Sequence, residues 1–318
     1  METSSAKCSR YPFPGLRPFR VEEDYLYFGR ESQVNRMVDK LAKRRFLAVV
    51  GTSGSGKTSL VNCGLRPALH LGLMADAGSR WQTVQFRPGS KPLRALARAL
   101  TENDAIRGKF DFDRASLQGL IEASLRMSRL GLSEVFKRAQ LDEGTNLLIV
   151  VDQFEELFRY RDVERSTAAD LQSRREEATA FVNLLLDARL ERTVPIYIVL
   201  TVRSDFLGHC AEFVGLPEAI NDGEYLVPRL TRDERRAAIA GPAAVGGARI
   251  SPVLLTRLVN DVGDNPDQLS ILNTLSIVPG PSGKAKEGGK VRSICRITKP
   301  SAPWPTLWTS TRKRPMVS

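Results

Sequence analysis

Histidine and cysteine are scarce in this chain. Two histidines, His70 and His209, and four cysteines, Cys8, Cys63, Cys210 and Cys295, occur in 318 residues, and no two cysteines form a C-x-x-C pair. That spacing gives no zinc-finger pattern and no disulfide framework. Cys63 falls in a helical pattern, where a small buried thiol is expected rather than a nucleophile. Long apolar runs are also missing. None, LLIVV and IYIVL included, comes near the roughly 20 residues that cross a bilayer. The opening METSSAKCSR has no apolar stretch after its charges, so neither a membrane span nor a secretory leader is expected. A cytoplasmic address is the resulting expectation. Internal repeats are absent as well.

What is present is ordinary in amount and uneven in distribution. Apolar residues make up 42% and charged residues 26%, as in globular proteins, and 318 residues predict one large unit plus a smaller one. The net charge is +11, but residues 279–318 hold nine Lys or Arg against one acid, Glu287, so +8 lies there and +3 is left for residues 1–278. A nearly balanced body does not predict a nucleic-acid partner. Ten of those last forty residues are Pro or Gly and five are Leu, Ile, Val or Phe, which predicts a disordered basic tail. We hypothesise that a reading-frame shift near Asn273 produced it, since out-of-frame GC-rich DNA encodes much Arg, Pro, Ser, Gly and Trp. An intact gene frame with no better continuation alongside it excludes that origin.

Along the chain, residues 1–30 contain PFPGLRPF and read as an extended arm, because closely spaced prolines do not start a long helix. Val34, Met37, Val38 and Leu41 follow at helical spacing. RFLAVVG, WQTVQF, NLLIVVD, IYIVLTV and the short GEYLV read as strands separated by helical patterns, which predicts a parallel α/β sheet with helices on both faces over residues 31–230. Two helical stretches with no strand between them, TRDERRAAIAGPA and SPVLLTRLVND, predict a small, partial helical lid over residues 231–278.

The most informative stretch is GTSGSGKT, comprising Gly51, Thr52, Ser53, Gly54, Ser55, Gly56, Lys57 and Thr58, with Ser59 next. It satisfies G-x-x-x-x-G-K-[ST] between a buried strand and a helix, which is the context that makes the motif a P-loop. Glycines let successive N–H groups curl inward, and the helix N-terminus adds partial positive charge, so polyphosphate is the expected ligand. Lys57 is expected at the β and γ phosphates, and the Thr58 hydroxyl at Mg²⁺. Asp152, at the end of the third strand, is expected to hold the same ion. Gln153 follows it, and the next acids, Glu155 and Glu156, are each candidates to orient a water. Arg203 ends the fourth strand and would stand beside the γ-phosphate if that strand lay between the other two. The absence of an N-K-x-D run favours ATP over GTP.

With these motifs in order, the chain resembles the STAND class of P-loop NTPases, and within it the novel STAND NTPases, from about Tyr11 to Leu272. PFPGLRPF and DQFEELF carry the resemblance more specifically than the phosphate loop does. The resemblance implies that FGRE borders the adenine, through Gly29 and Arg30. It also favours Glu156 over Glu155 as the water-orienting acid, makes Arg203 the first sensor, and makes Pro266, in GDNPDQLSIL, a nucleotide contact. It further implies a five-stranded P-loop sheet, bound ATP or ADP with Mg²⁺, slow hydrolysis, and a signalling switch whose nucleotide state governs conformation, self-association or effector binding. The chain departs from the pattern after DQLSILN, so the lid is expected to be incomplete and the activity impaired. Two other readings compete: a nucleotide-binding scaffold without turnover, and an initiator-like DNA-associated ATPase. No LSGGQ-like signature of transport ATPases is found.

Overall fold

The structure is a computed structural model that describes residues 12–15, 17–159, 167–246, 250–262, 276–279, 285–287, 290–292 and 295–298. Five strands form one parallel sheet: β1 (Phe46–Gly51), β2 (Trp81–Phe86), β3 (Asn146–Val151), β4 (Ile196–Arg203) and β5 (Glu224–Leu226). Their order is β2-β3-β4-β1-β5, with β4 paired to both β1 and β3. The fourth strand therefore lies between the two motif strands, which is the condition on which the reading of Arg203 depends.

The strands are Val, Ile and Leu runs because both faces are covered. Phe46, Ala48 and Val50 of β1 pack toward one helical layer, and Leu47 and Val49 toward the other. The first layer comprises α3 (Pro92–Glu102), α4 (Arg114–Met127), α5 (Gly131–Ala139) and α6 (Ala168–Leu190). The opposite face carries α1 (Glu31–Arg44), through Met37 and Leu41, and the helix we call α2. Three consecutive turns make up α2: Lys57–Leu60, a widened π turn at Val61–Leu65, and Arg66–His70. Pro67 offers no N–H and would crowd the preceding turn of a regular helix. The π turn, in which Arg66 N–H reaches Val61 O, lets the helix pass through the proline.

After α7 (Leu216–Gly223) and β5, Thr231 caps α8 (Arg232–Val245) with a reciprocal bond to Glu234, and α9 (Pro252–Val262) packs against α8. Ile239, Ala243, Leu258 and Val259 form a separate small core there, completed by Phe13 of the N-terminal arm. Within the expected basic tail and just before it, Ser276–Pro279 pairs with Cys295–Thr298 and Ala285–Glu287 with Lys290–Arg292, as two antiparallel ribbons outside the main sheet. The remaining tail positions lie outside the described residues. Among the described residues no helix is long and apolar enough to cross a membrane.

Candidate functional site

The carboxyl ends of β1, β3 and β4 share one edge of the sheet, and the turn after β1 arches over it. Gly54 (φ 75°) and Gly56 (φ 84°) hold left-handed backbone that a side chain would strain. At Gly51 the constraint is space, because a Cβ would stand 2.7 Å from Ser55 Oγ. Ser55 Oγ is buried with no hydrogen-bond partner among the described residues. Lys57 Nζ donates to the carbonyls of Gly51 (2.9 Å) and Thr52 (2.7 Å), across the mouth of its own loop. Burial lowers the Lys57 pKa and nearby Arg203 adds to the effect, while Glu155 and Asp152 oppose it.

Asp152 is 4% exposed and tied on both oxygens. Its Oδ1 accepts from Thr58 Oγ1 (2.8 Å) and from Thr201 Oγ1 (2.7 Å), and its Oδ2 faces Arg87 Nε at 3.7 Å. Two hard oxygen donors, the Thr58 hydroxyl and the Asp152 carboxylate, thus meet at the phosphate end of the loop, the donor chemistry that Mg²⁺ takes. Gln153 then adopts φ 57°, an uncommon conformation for a non-glycine residue, with its N–H on Thr201 Oγ1 (2.9 Å). This kink turns the chain so that the two following acids diverge. Glu155, 5% exposed, lines the cavity and accepts from the Arg203 N–H (3.3 Å). Glu156 instead accepts from the Gly89 N–H (3.1 Å), beyond the end of β2. Arg203 forks onto Asp205 through Nε (3.0 Å) and Nη2 (2.6 Å), which holds Asp205 below the usual carboxylate range, and the guanidinium sits 5.5 Å from the Phe206 ring centre.

These groups border a cavity of about 290 Å³. Residues 53–59 line it, together with Glu155, Arg203, Thr201, Gln153 and Arg87 from the ends of the strands and with an apolar group of Tyr27, Phe28, Leu230 and Ala238. Phe13, Arg17, Pro18 and Phe19 of the arm border it too. The arm is anchored on α2, with Phe19 N–H on Ser59 Oγ (3.1 Å) and Asn62 Nδ2 on Phe19 O (3.1 Å). Ser59 therefore holds the arm. Arg30 is 7% exposed, lines the cavity, and donates to Gln33 Oε1, to Pro228 O (2.8 Å) and, at 3.5 Å, to Ser55 O of the loop. Gly29 (φ 82°) lies against α8, where a Cβ would stand 2.3 Å from Glu234 O.

Of the residues singled out from sequence, 53–59, Arg30, Glu155 and Arg203 line one cavity, Gly51 and Thr52 hold Lys57, and Asp152 joins Thr58. Gly29 makes a packing contact with α8, Glu156 is held on Gly89, and Pro266 lies outside the described residues. The preference for Glu156 over Glu155 does not match this arrangement, because the turn at Gln153 brings the earlier acid to the cavity. Thr201 and Arg87 were not singled out from sequence. A lone threonine in IYIVLTV is the trace that marks Thr201; Arg87 shows only through the pairing of β2 with β3, which sets Phe86 beside Val151.

The family model described as Novel STAND NTPase 1 matches residues 12–276. No curated protein matches the chain. Among solved structures, the chain is similar to the Aeropyrum pernix ORC2 protein in its ADPNP-ADP complexes, with 13% identity, 80% of this chain and 62% of that chain covered, and TM-score 0.46. It is similar to CDC6P from Pyrobaculum aerophilum, with 13% identity, coverages of 77% and 59%, and TM-score 0.43. A third is the E. coli MS115-1 HORMA:CdnC:Trip13 complex, with 13% identity, coverages of 83% and 94%, and TM-score 0.41. The chain spans about six tenths of the length of the first two.

Proposed function

The chain belongs to the novel STAND NTPase 1 family, and from that premise we propose that it is an ATP-binding, slowly hydrolysing switch whose nucleotide state governs conformation and association. The observation that carries this reading is the 2.8 Å bond between Thr58 Oγ1 and Asp152 Oδ1, which joins the first turn after the loop to the end of β3. A hydroxyl and a buried carboxylate meeting beside a glycine loop is the arrangement that phosphoryl transfer requires.

In this reading Lys57 exchanges its two carbonyl partners for oxygens of the β and γ phosphates, and the N–H groups of 53–58 cradle the chain of phosphates. A magnesium ion held by Thr58 and Asp152 supplies neutralisation of the charge that develops during transfer. Glu155 aligns a water in line with the γ-phosphorus. A bond forms from that water oxygen to phosphorus, the bond from phosphorus to the β–γ bridging oxygen breaks, and the water proton passes by way of the Glu155 carboxylate to the phosphate product. Arg203 compensates charge on the γ-phosphate. The base packs against the apolar group of Tyr27, Phe28, Leu230 and Ala238. Arg30 fixes the loop relative to Pro228, and Pro266 is retained as a nucleotide contact that the family resemblance implies.

Thermal unfolding of the full chain tests the reading. Ligand at about 100 times Kd stabilises the native state by about 2.7 kcal/mol, which for a chain of this size raises Tm by roughly 4–5 °C. Mg-ATP and Mg-ADP are expected to produce that shift in the wild type, and Lys57→Ala to lose most of it. A wild type that melts at one temperature with and without either nucleotide overturns the proposal.

A further inference from the structure

The geometry points to Arg87 as a terminal-phosphate contact that changes partner, lying beside Asp152 in the free site and moving to the γ-phosphate when a triphosphate occupies the loop. The inference deepens the reading above and rests on it.

Its basis is the position of Arg87 between two environments. β2 and β3 run parallel with Phe86 level with Val151, and Asp152 N–H bonds to Phe86 O at 2.8 Å. The residue after Phe86 is thereby placed beside Asp152 by main-chain pairing alone. The Arg87 side chain is 56% exposed, reaches the cavity that Lys57, Glu155 and Arg203 line, and stands 3.7 Å from Asp152 Oδ2. That distance gives Coulomb attraction without a formed hydrogen bond. The other oxygen, Oδ1, already accepts two short bonds from Thr58 and Thr201.

On the side away from Asp152, Arg87 also borders a second groove that carries Lys91, Arg94, Arg98 and Glu102. A terminal phosphate offers a planar guanidinium two acceptor oxygens for parallel N–H donation, which a carboxylate shared with two hydroxyls does not. A diphosphate ends short of this position, whereas a triphosphate brings its charge to it. Arg87 thus distinguishes the two nucleotides by the presence of the last phosphate, from the β2 side, while Arg203 faces the same end from β4.

Equilibrium binding of the non-hydrolysable triphosphate Mg-AMPPNP and of Mg-ADP to the full chain tests this, with wild type, Arg87→Ala and Arg87→Lys compared. Loss of one charge-assisted contact is expected to weaken Mg-AMPPNP by about tenfold in Arg87→Ala, and Mg-ADP by less than about twofold. Arg87→Lys should recover part of the triphosphate affinity, since it restores the charge without the fork. Equal weakening of both nucleotides, or of neither, overturns the inference and leaves the nucleotide reading standing. A wild type that binds neither nucleotide overturns both. The unfolding temperature without nucleotide, expected to be unchanged in Arg87→Ala, separates lost contact from lost fold, and a variant that does not fold shows Arg87 to be structural and overturns the inference.

Discussion

Glu155 and Glu156 are neighbours in sequence and have different surroundings, one against the Arg203 amide in the cavity and the other on the Gly89 amide outside it. If Glu155 positions the attacking water, Glu155→Gln should slow single-turnover phosphate release by about a hundredfold or more, while Glu156→Gln stays within about threefold of wild type. Rapid-quench measurement of phosphate decides it, and the opposite ranking would return the role to Glu156. Equal rates in all three proteins would favour a scaffold without turnover. At this scale the sequence shows residue types well and directions poorly. Lys57, Thr58 and Asp152 are legible because motif spacing alone fixes which end of a strand or helix they occupy. The choice between two adjacent glutamates depends on the backbone at Gln153, and its φ of 57° leaves no compositional trace, since glutamine rarely adopts it.

Elements meet around the cavity through glycine. Gly29 faces the backbone of α8, and Gly241 of α8 faces Phe28, whose ring carbons lie 2.4 Å from where a Cβ would be. Gly29→Ala combines a left-handed backbone with a clash against a carbonyl that has no freedom to rotate away, so it should cost about 2–4 kcal/mol. Chemical denaturation of the full chain measures this. A cost below about 1 kcal/mol would mean that α8 moves aside freely. The strands and their parallel pairing are readable because uninterrupted Val, Ile and Leu runs require cover on both faces, and five such runs separated by helical patterns leave few topologies. The close approach of the FGRE turn to α8 is not readable: two glycines far apart in sequence give no sign that they bring their elements into contact.

For the whole molecule, the small core of α8 and α9 is completed by a residue from the opposite end of the described chain, Phe13, which is 6% exposed. Phe13→Ala removes the arm's contribution to that core and should cost about 3 kcal/mol. The loss is expected to stay local: amide hydrogen exchange in α8 and α9 accelerates, while β1, β3 and β4 keep wild-type protection. Uniform acceleration throughout would show instead that the α8–α9 pair and the sheet unfold as one unit. The sequence shows PFPGLRPF to be extended and apolar, yet gives no indication of which surface receives it.

That same arm is held at one end by Ser59 and Asn62 of α2 and at the other by helices reaching Val259. A chain made from its N-terminus therefore produces Phe13 long before the surface it rests on exists. Until α8 and α9 have both left the ribosome, the phenylalanine lacks the small core it rests in, and pairing it late means closing nearly the whole length of the domain at once. The earliest described residues to be synthesised are thus among the last to settle.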